Sequence, residues 1–125
     1  MTSPARTADE LIARKCKPCE GGIPPTTPDE ARRLLAELPG WSLSDDGRRI
    51  ARVWNMKNFQ AALDFFNAVG AAAEAEGHHP DLHLEQYRRV RIELWTHALG
   101  GLSENDFILA AKIDRLPART AELRK

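Results

Sequence analysis

The chain has 125 residues, with 18 Lys and Arg against 18 Asp and Glu, so its formal net charge is zero when the four histidines are neutral. That length suits one domain, and 42% hydrophobic with 29% charged residues is the make-up of an ordinary globular protein. The balanced charge argues against nucleic acid, whose phosphates need a surplus of Lys and Arg on one surface, and apolar runs such as 68–73 fall far short of the ~20 residues of a membrane span.

In chain order, residues 1–26 read as a Pro/Gly-rich arm whose helical-looking piece is Ala8 to Lys15. The start of the chain lacks the apolar core of a secretory signal, which predicts a cytoplasmic protein with Cys16 and Cys19 reduced. The stretch 16–28 holds four prolines and two glycines and cannot be a long regular element. A first well-signalled helix follows, with Thr27 as cap, Pro28 at the first position and Glu30 three residues past the cap; it stops before Pro39-Gly40. Trp41 to Leu43 and Ile50 to Met56 flank the turn Ser44-Asp45-Asp46-Gly47 and predict a hairpin.

Asn58 then caps a long helix in which Phe59, Ala62, Leu63, Phe66, Val69, Gly70 and Ala73 recur at helical spacing, and Gly77 ends it. Strands are predicted from Leu82 to Tyr87 and from Val90 to His97. In the second, Val90, Ile92, Leu94 and Thr96 point one way and Arg91, Glu93, Trp95 and His97 the other. After Gly100-Gly101 a last helix is capped by Ser103 with Asp106 three residues on. It is apolar on almost every side, which predicts packing against a second copy. The order α-β-β-α-β-β-α defines an α+β two-layer sandwich, a four-stranded antiparallel sheet with three helices on one face. The domain spans 27–117, with a polar tail at 118–125.

Histidine titrates near neutrality, and His78, His79 and His83 fall within six residues. His78 and His79 follow a helix C-terminus, where the dipole favours the protonated ring, and Pro80 holds His79 extended. Ordinary turn histidines at a helix end fit the same residues. A metal site fits less well, because adjacent histidines are awkward joint ligands and no helical His pair is present. Asp106 is explained by capping alone, and Trp95, on the strand face of His97, is either a stacking surface for a flat ligand or an oligomer contact. The pair Cys16 and Cys19 is too small for a complete zinc shell unless two subunits pool their thiols. A thiol–disulfide role is the other alternative to a plain reduced arm.

The run from Glu74 through His78-His79-Pro80, then Tyr87, then Thr96-His97, Gly100-Gly101 and Asp106, resembles the pterin-4a-carbinolamine dehydratase family. The likeness extends to Leu38-Pro39-Gly40-Trp41 and to Trp54 through Phe59, and covers roughly 27–115. It implies loss of water from 4a-hydroxytetrahydropterin to give quinonoid dihydropterin, with neither metal nor organic cofactor. His78 and His97 are then the acid–base pair, and His79 holds the substrate near C4a. Glu74, Pro80 and Asp106 are implied as substrate-binding residues, with Glu74 close enough to orient His78 or to bind a ring N–H. His83 has no place in the family pattern and is expected at the surface. The resemblance further implies a homodimer or homotetramer and a pathway serving an aromatic amino acid hydroxylase. It also implies an alternative, since some relatives are dimerisation or assembly proteins without catalysis.

Overall fold

The computed structural model describes residues 7–17 and 24–121, so the expectations that concern Cys19 lie outside the described residues. Among the described residues eight elements occur: α1 (Ala8–Ala13), α2 (Pro28–Leu35), β1 (Ser42–Leu43), β2 (Ile50–Asn55), α3 (Phe59–Glu76), β3 (Asp81–Glu85), β4 (Arg89–Leu94) and α4 (Glu104–Asp114). The strands form one antiparallel sheet in the order β1-β2-β4-β3, the α+β architecture expected from the sequence.

The local signals act where they stand in the chain. Thr27 and Asn58 accept the backbone N–H three residues on, from Glu30 and Ala61, so each helix begins with an orphan donor satisfied. Gly77 ends α3 in the left-handed region at φ 66°, which a residue without Cβ adopts at no cost. The backbone N–H of His78 then returns to the Ala73 carbonyl, and the chain leaves the helix with His78 turned inward.

The two faces of β4 separate as its alternation requires. Val90, Ile92 and Leu94 are buried under the helices, together with Ile50 and Trp54 of β2, Phe65 and Val69 of α3, and Phe107 and Leu109 of α4. Arg91 and Glu93 face away. Trp41 packs edge-on against Trp54 and donates from its indole N–H to Asp114 at 2.9 Å, which closes the β1 end of the sheet onto the end of α4.

Three details differ from the sequence reading, the first being that β4, expected to reach His97, ends at Leu94, with Thr96 bridged to Gly101 beyond it. The strand expected to run to Tyr87 ends at Glu85, because Gln86 and Tyr87 both take positive φ, 51° and 56°, and reverse the chain into β4. Tyr87 therefore sits at the hairpin tip, 60% exposed. The apolar last helix is covered by its own chain rather than requiring a second copy: α1 packs across α4 with Leu11 fully buried.

That packing is secured by polar ties. Arg14 pairs with Glu104 at 2.7 Å, the Cys16 N–H donates to Glu76 at 2.8 Å, and Lys17 and Asn105 exchange two hydrogen bonds. At the other end, backbone bonds from Lys57 to Arg119 and from Ala121 to Asn55 carry the C-terminal segment alongside the end of β2. Residues 7–17 and 118–121 thus contribute to the fold on either side of the 27–117 unit.

Candidate active site

Four elements meet at one end of the sheet: the C-terminus of α3, the start of β3, the end of β4 and the N-terminus of α4. Gly77, His78, His79, Trp95, His97 and Ala98 line an open pocket of about 150 Å³ there. The pocket gathers His78, His79 and His97, although 17 residues lie between His79 and His97 along the chain.

His78 is only 5% exposed, and its Nε2 lies 2.6 Å from Oδ1 of Asp106, which is fully buried. The other Asp106 oxygen, Oδ2, accepts from the Thr96 hydroxyl at 2.9 Å and from the Ser103 backbone N–H at 3.0 Å. The Thr96 proton is committed to Asp106, so the Ser103 hydroxyl donates to Thr96 Oγ1 across 2.7 Å. Both partners of Oδ2 are thus donors, and Asp106 sits in the first turn of α4, where the helix dipole favours negative charge. An ionised Asp106 makes Nε2 the protonated nitrogen of His78 and leaves Nδ1 to act on a bound molecule. The geometry follows the general rule that a buried carboxylate selects the tautomer and orientation of a working imidazole.

His79 differs in kind. Its ring is exposed and pairs with Glu74, Nε2 to Oε2 2.5 Å, in an ion pair open to solvent and therefore weak. The partner expected for Glu74 was His78. Because α3 stops at Gly77 and His78 turns inward, the ring within reach of Glu74 is that of His79 instead.

The residues for which substrate-binding roles are implied, Glu74, Pro80 and Asp106, stand around the pocket rather than on its lining. None of the three lines the pocket, and Asp106, with both oxygens engaged below it, reaches a bound molecule only through His78. Pro80 shapes the turn between His79 and β3.

His97 stands exposed on the turn after β4. That turn is closed by backbone bonds between Thr96 and Gly101 and by the Gly100 N–H onto the His97 carbonyl. His83 lies on β3 opposite Arg91, away from the pocket, with Nε2 3.5 Å from Glu93. Cys16 is buried against α4, and burial, reinforced by the Glu76 charge, pushes its thiol up to about 12. No cluster of three or more His, Cys, Asp or Glu side chains able to hold a metal ion occurs among the described residues.

Sequence reading paired Ser103 with Asp106 as a capping box, which forms, but missed Thr96 as a support of Asp106. Thr96 is the one polar residue in the inward stripe Val90, Ile92, Leu94, Thr96, and a buried hydroxyl needs a partner. That was the available signal.

A four-stranded antiparallel sheet under helices, with a histidine-lined pocket backed by a buried carboxylate, defines the chain as an α+β sandwich. Comparison makes the assignment specific: residues 24–116 match the family model described as pterin 4 alpha carbinolamine dehydratase, and the chain belongs to that family. A protein of Methylococcus capsulatus named "Putative pterin-4-alpha-carbinolamine dehydratase" is 49% identical over 111 residues, covering 89% of this chain and 96% of that one. The Arabidopsis thaliana protein "Pterin-4-alpha-carbinolamine dehydratase 2, mitochondrial" is also 49% identical, over 86% of this chain, which spans 59% of that longer relative.

Among solved structures, a "transcriptional coactivator/pterin dehydratase" from Brucella melitensis superposes with a TM-score of 0.67 at 34% identity, covering 73% of this chain and 96% of that one. A pterin dehydratase-like RuBisCO assembly factor of the alpha-carboxysome shares the fold at a TM-score of 0.51 and 21% identity, covering 60% of this chain and 86% of that one. No helix among the described residues is long and apolar enough to cross a membrane.

Proposed function

We propose that this protein dehydrates pterin-4a-carbinolamine, 4a-hydroxytetrahydropterin, to quinonoid dihydropterin and water by histidine acid–base catalysis. Family membership supports the hydro-lyase activity and the pterin substrate. The observation that carries the histidine chemistry is the buried Asp106–His78 pair beneath a pocket that also holds His79 and His97.

Dehydration requires two proton movements. The departing C4a hydroxyl must receive a proton to leave as water, and a ring nitrogen conjugated to C4a must lose one as the new double bond forms. Two imidazoles at one pocket can serve both ends, each in the protonation state its task needs, and general acid–base catalysis of this kind is worth roughly 100 to 10,000-fold. His78, with Nε2–H fixed on Asp106, presents Nδ1 as the base. His97, at the rim, supplies the acid, and exposed His79, its ring held by Glu74, holds the pterin near C4a.

The reading extends to a cytoplasmic homodimer or homotetramer that recycles the pterin cofactor of an aromatic amino acid hydroxylase. The alternative on the same fold is a dimerisation or assembly protein without catalysis, which needs no titratable groups at the pocket.

Stopped-flow dehydration of a 4a-hydroxytetrahydropterin separates the two. The wild-type protein is expected to accelerate the step, and His78→Ala and His97→Ala each to lose most of that acceleration. No acceleration over buffer by the wild type sinks the enzyme reading. Full activity in both variants sinks the assignment of roles.

A further inference from the structure

The catalytic proposal leaves one cluster unused, the set of side chains around the Trp95 indole. We propose that Trp95 is the positioning residue for His97, and that its bond to Asp81 fixes His97 relative to the His78-His79-Pro80 turn. The inference rests on the catalytic reading of His97 above.

His97 lies beyond the last ladder pair of β4, exposed on a tight turn, where an unrestrained ring would sample several rotamers. Its imidazole instead packs on the Trp95 indole, with ring centroids 4.1 Å apart and planes tilted by 39°. The indole is held twice. Its Nε1–H donates to Asp81 Oδ2 at 3.0 Å, and the Arg49 guanidinium carbon sits 4.5 Å from its ring centre.

Asp81 is the residue after Pro80, so the chain that presents His78 and His79 also holds the indole that presents His97. A stiff aromatic with only two side-chain torsions, fixed at its nitrogen and on its ring, is well suited to the task.

The indole face is negative and accepts an imidazole or an imidazolium stacked on it. The ionisable groups around this cluster are Arg49, just before β2, His78 and His79 beyond α3, Asp81 of β3 and Glu93 of β4.

The competing role for Trp95 is a stacking surface for the pterin itself, and the two roles separate in kinetics. A positioning residue changes kcat, because a displaced acid slows the chemical step, whereas a stacking platform changes KM. Expected for Trp95→Leu is a fall in kcat on the order of 10-fold with KM nearly unchanged. Trp95→Phe, which keeps a ring under His97 but loses the Asp81 bond, is expected to recover only part of that loss.

Trp95 emission gives a readout independent of activity, because a protonated imidazole against an indole quenches it. The wild-type minus Trp95→Phe difference should fall as pH drops through the His97 titration, and the step should vanish in His97→Gln. A raised KM with unchanged kcat in Trp95→Leu, or emission indifferent to His97→Gln, overturns the proposal. Absence of any dehydratase activity in the wild type with the emission step intact overturns the catalytic reading and leaves the His97–Trp95 contact standing.

Discussion

Replacing Asp106 by Asn changes one oxygen to an NH2 group and removes one charge at the most densely bonded side chain of the site. The wild-type carboxylate accepts three hydrogen bonds, from His78 Nε2 at 2.6 Å, Thr96 Oγ1 at 2.9 Å and the Ser103 N–H at 3.0 Å. An asparagine has a single acceptor oxygen. The Ser103 N–H cannot reverse its role, so that oxygen stays with Ser103 and Thr96 and the new NH2 faces His78. Nε2 must then accept, which moves the imidazole proton to Nδ1 and removes the base from the pocket.

In stability, the variant loses a charge-assisted bond and a favourable charge at a helix N-terminus. Together these are worth about 2 to 3 kcal/mol, which leaves a domain of ordinary stability folded. In rate, the loss should approach the ~100 to 10,000-fold of one acid–base group. Long-range ¹⁵N NMR of the imidazole reads the tautomer, urea unfolding reads the stability, and stopped-flow dehydration reads the rate. A folded Asp106→Asn protein with His78 still protonated at Nε2 and a wild-type rate would refute the reasoning.

Three other expectations follow from the fold. The Cys16 thiol, raised to about 12 by burial and by Glu76, holds its proton more tightly folded than unfolded. Its contribution to stability is therefore intact below pH 9 and lost as pH rises from about 9 toward 12. In a Cys19→Ser background Cys16 should be alkylated only as fast as the protein opens, and rapid labelling of the native state at pH 8 would contradict this. Leu11→Ala should cost roughly 2 to 5 kcal/mol in urea unfolding, because the side chain is fully buried against α4; a cost near zero would mean that α1 is dispensable. Tyr87→Gly should stabilise by about 0.5 to 1 kcal/mol, since relief of a left-handed backbone outweighs the added chain entropy, and a lower melting temperature would count against the hairpin geometry.

What was legible in the sequence was what is local. The caps Thr27 and Asn58, the stop at Gly77 and the alternation of Val90, Ile92 and Leu94 each depend on neighbours a few residues away. Together they specify the α+β sandwich. The pocket histidines were legible because the motif that carries them is.

Pairings at long range were not. That Glu74 meets His79 rather than His78 depends on the direction the chain takes after a left-handed Gly77. That α4 is apolar all round because α1 covers it depends on a helix of six residues more than 90 positions away, whose own pattern holds a single buried leucine, Leu11. Thr96 lies between the two cases. It breaks an otherwise apolar inward stripe, and only the folded chain shows that the break exists to hold Asp106.

The most direct measurement is the single-turnover rate of 4a-hydroxytetrahydropterin dehydration across pH 6 to 8, for wild type and for the double variant His78→Ala/His97→Ala. Acid–base catalysis by these two rings gives wild-type acceleration over buffer, and a double variant that binds pterin but turns it over at the buffer rate. Acceleration retained in the double variant would contradict it.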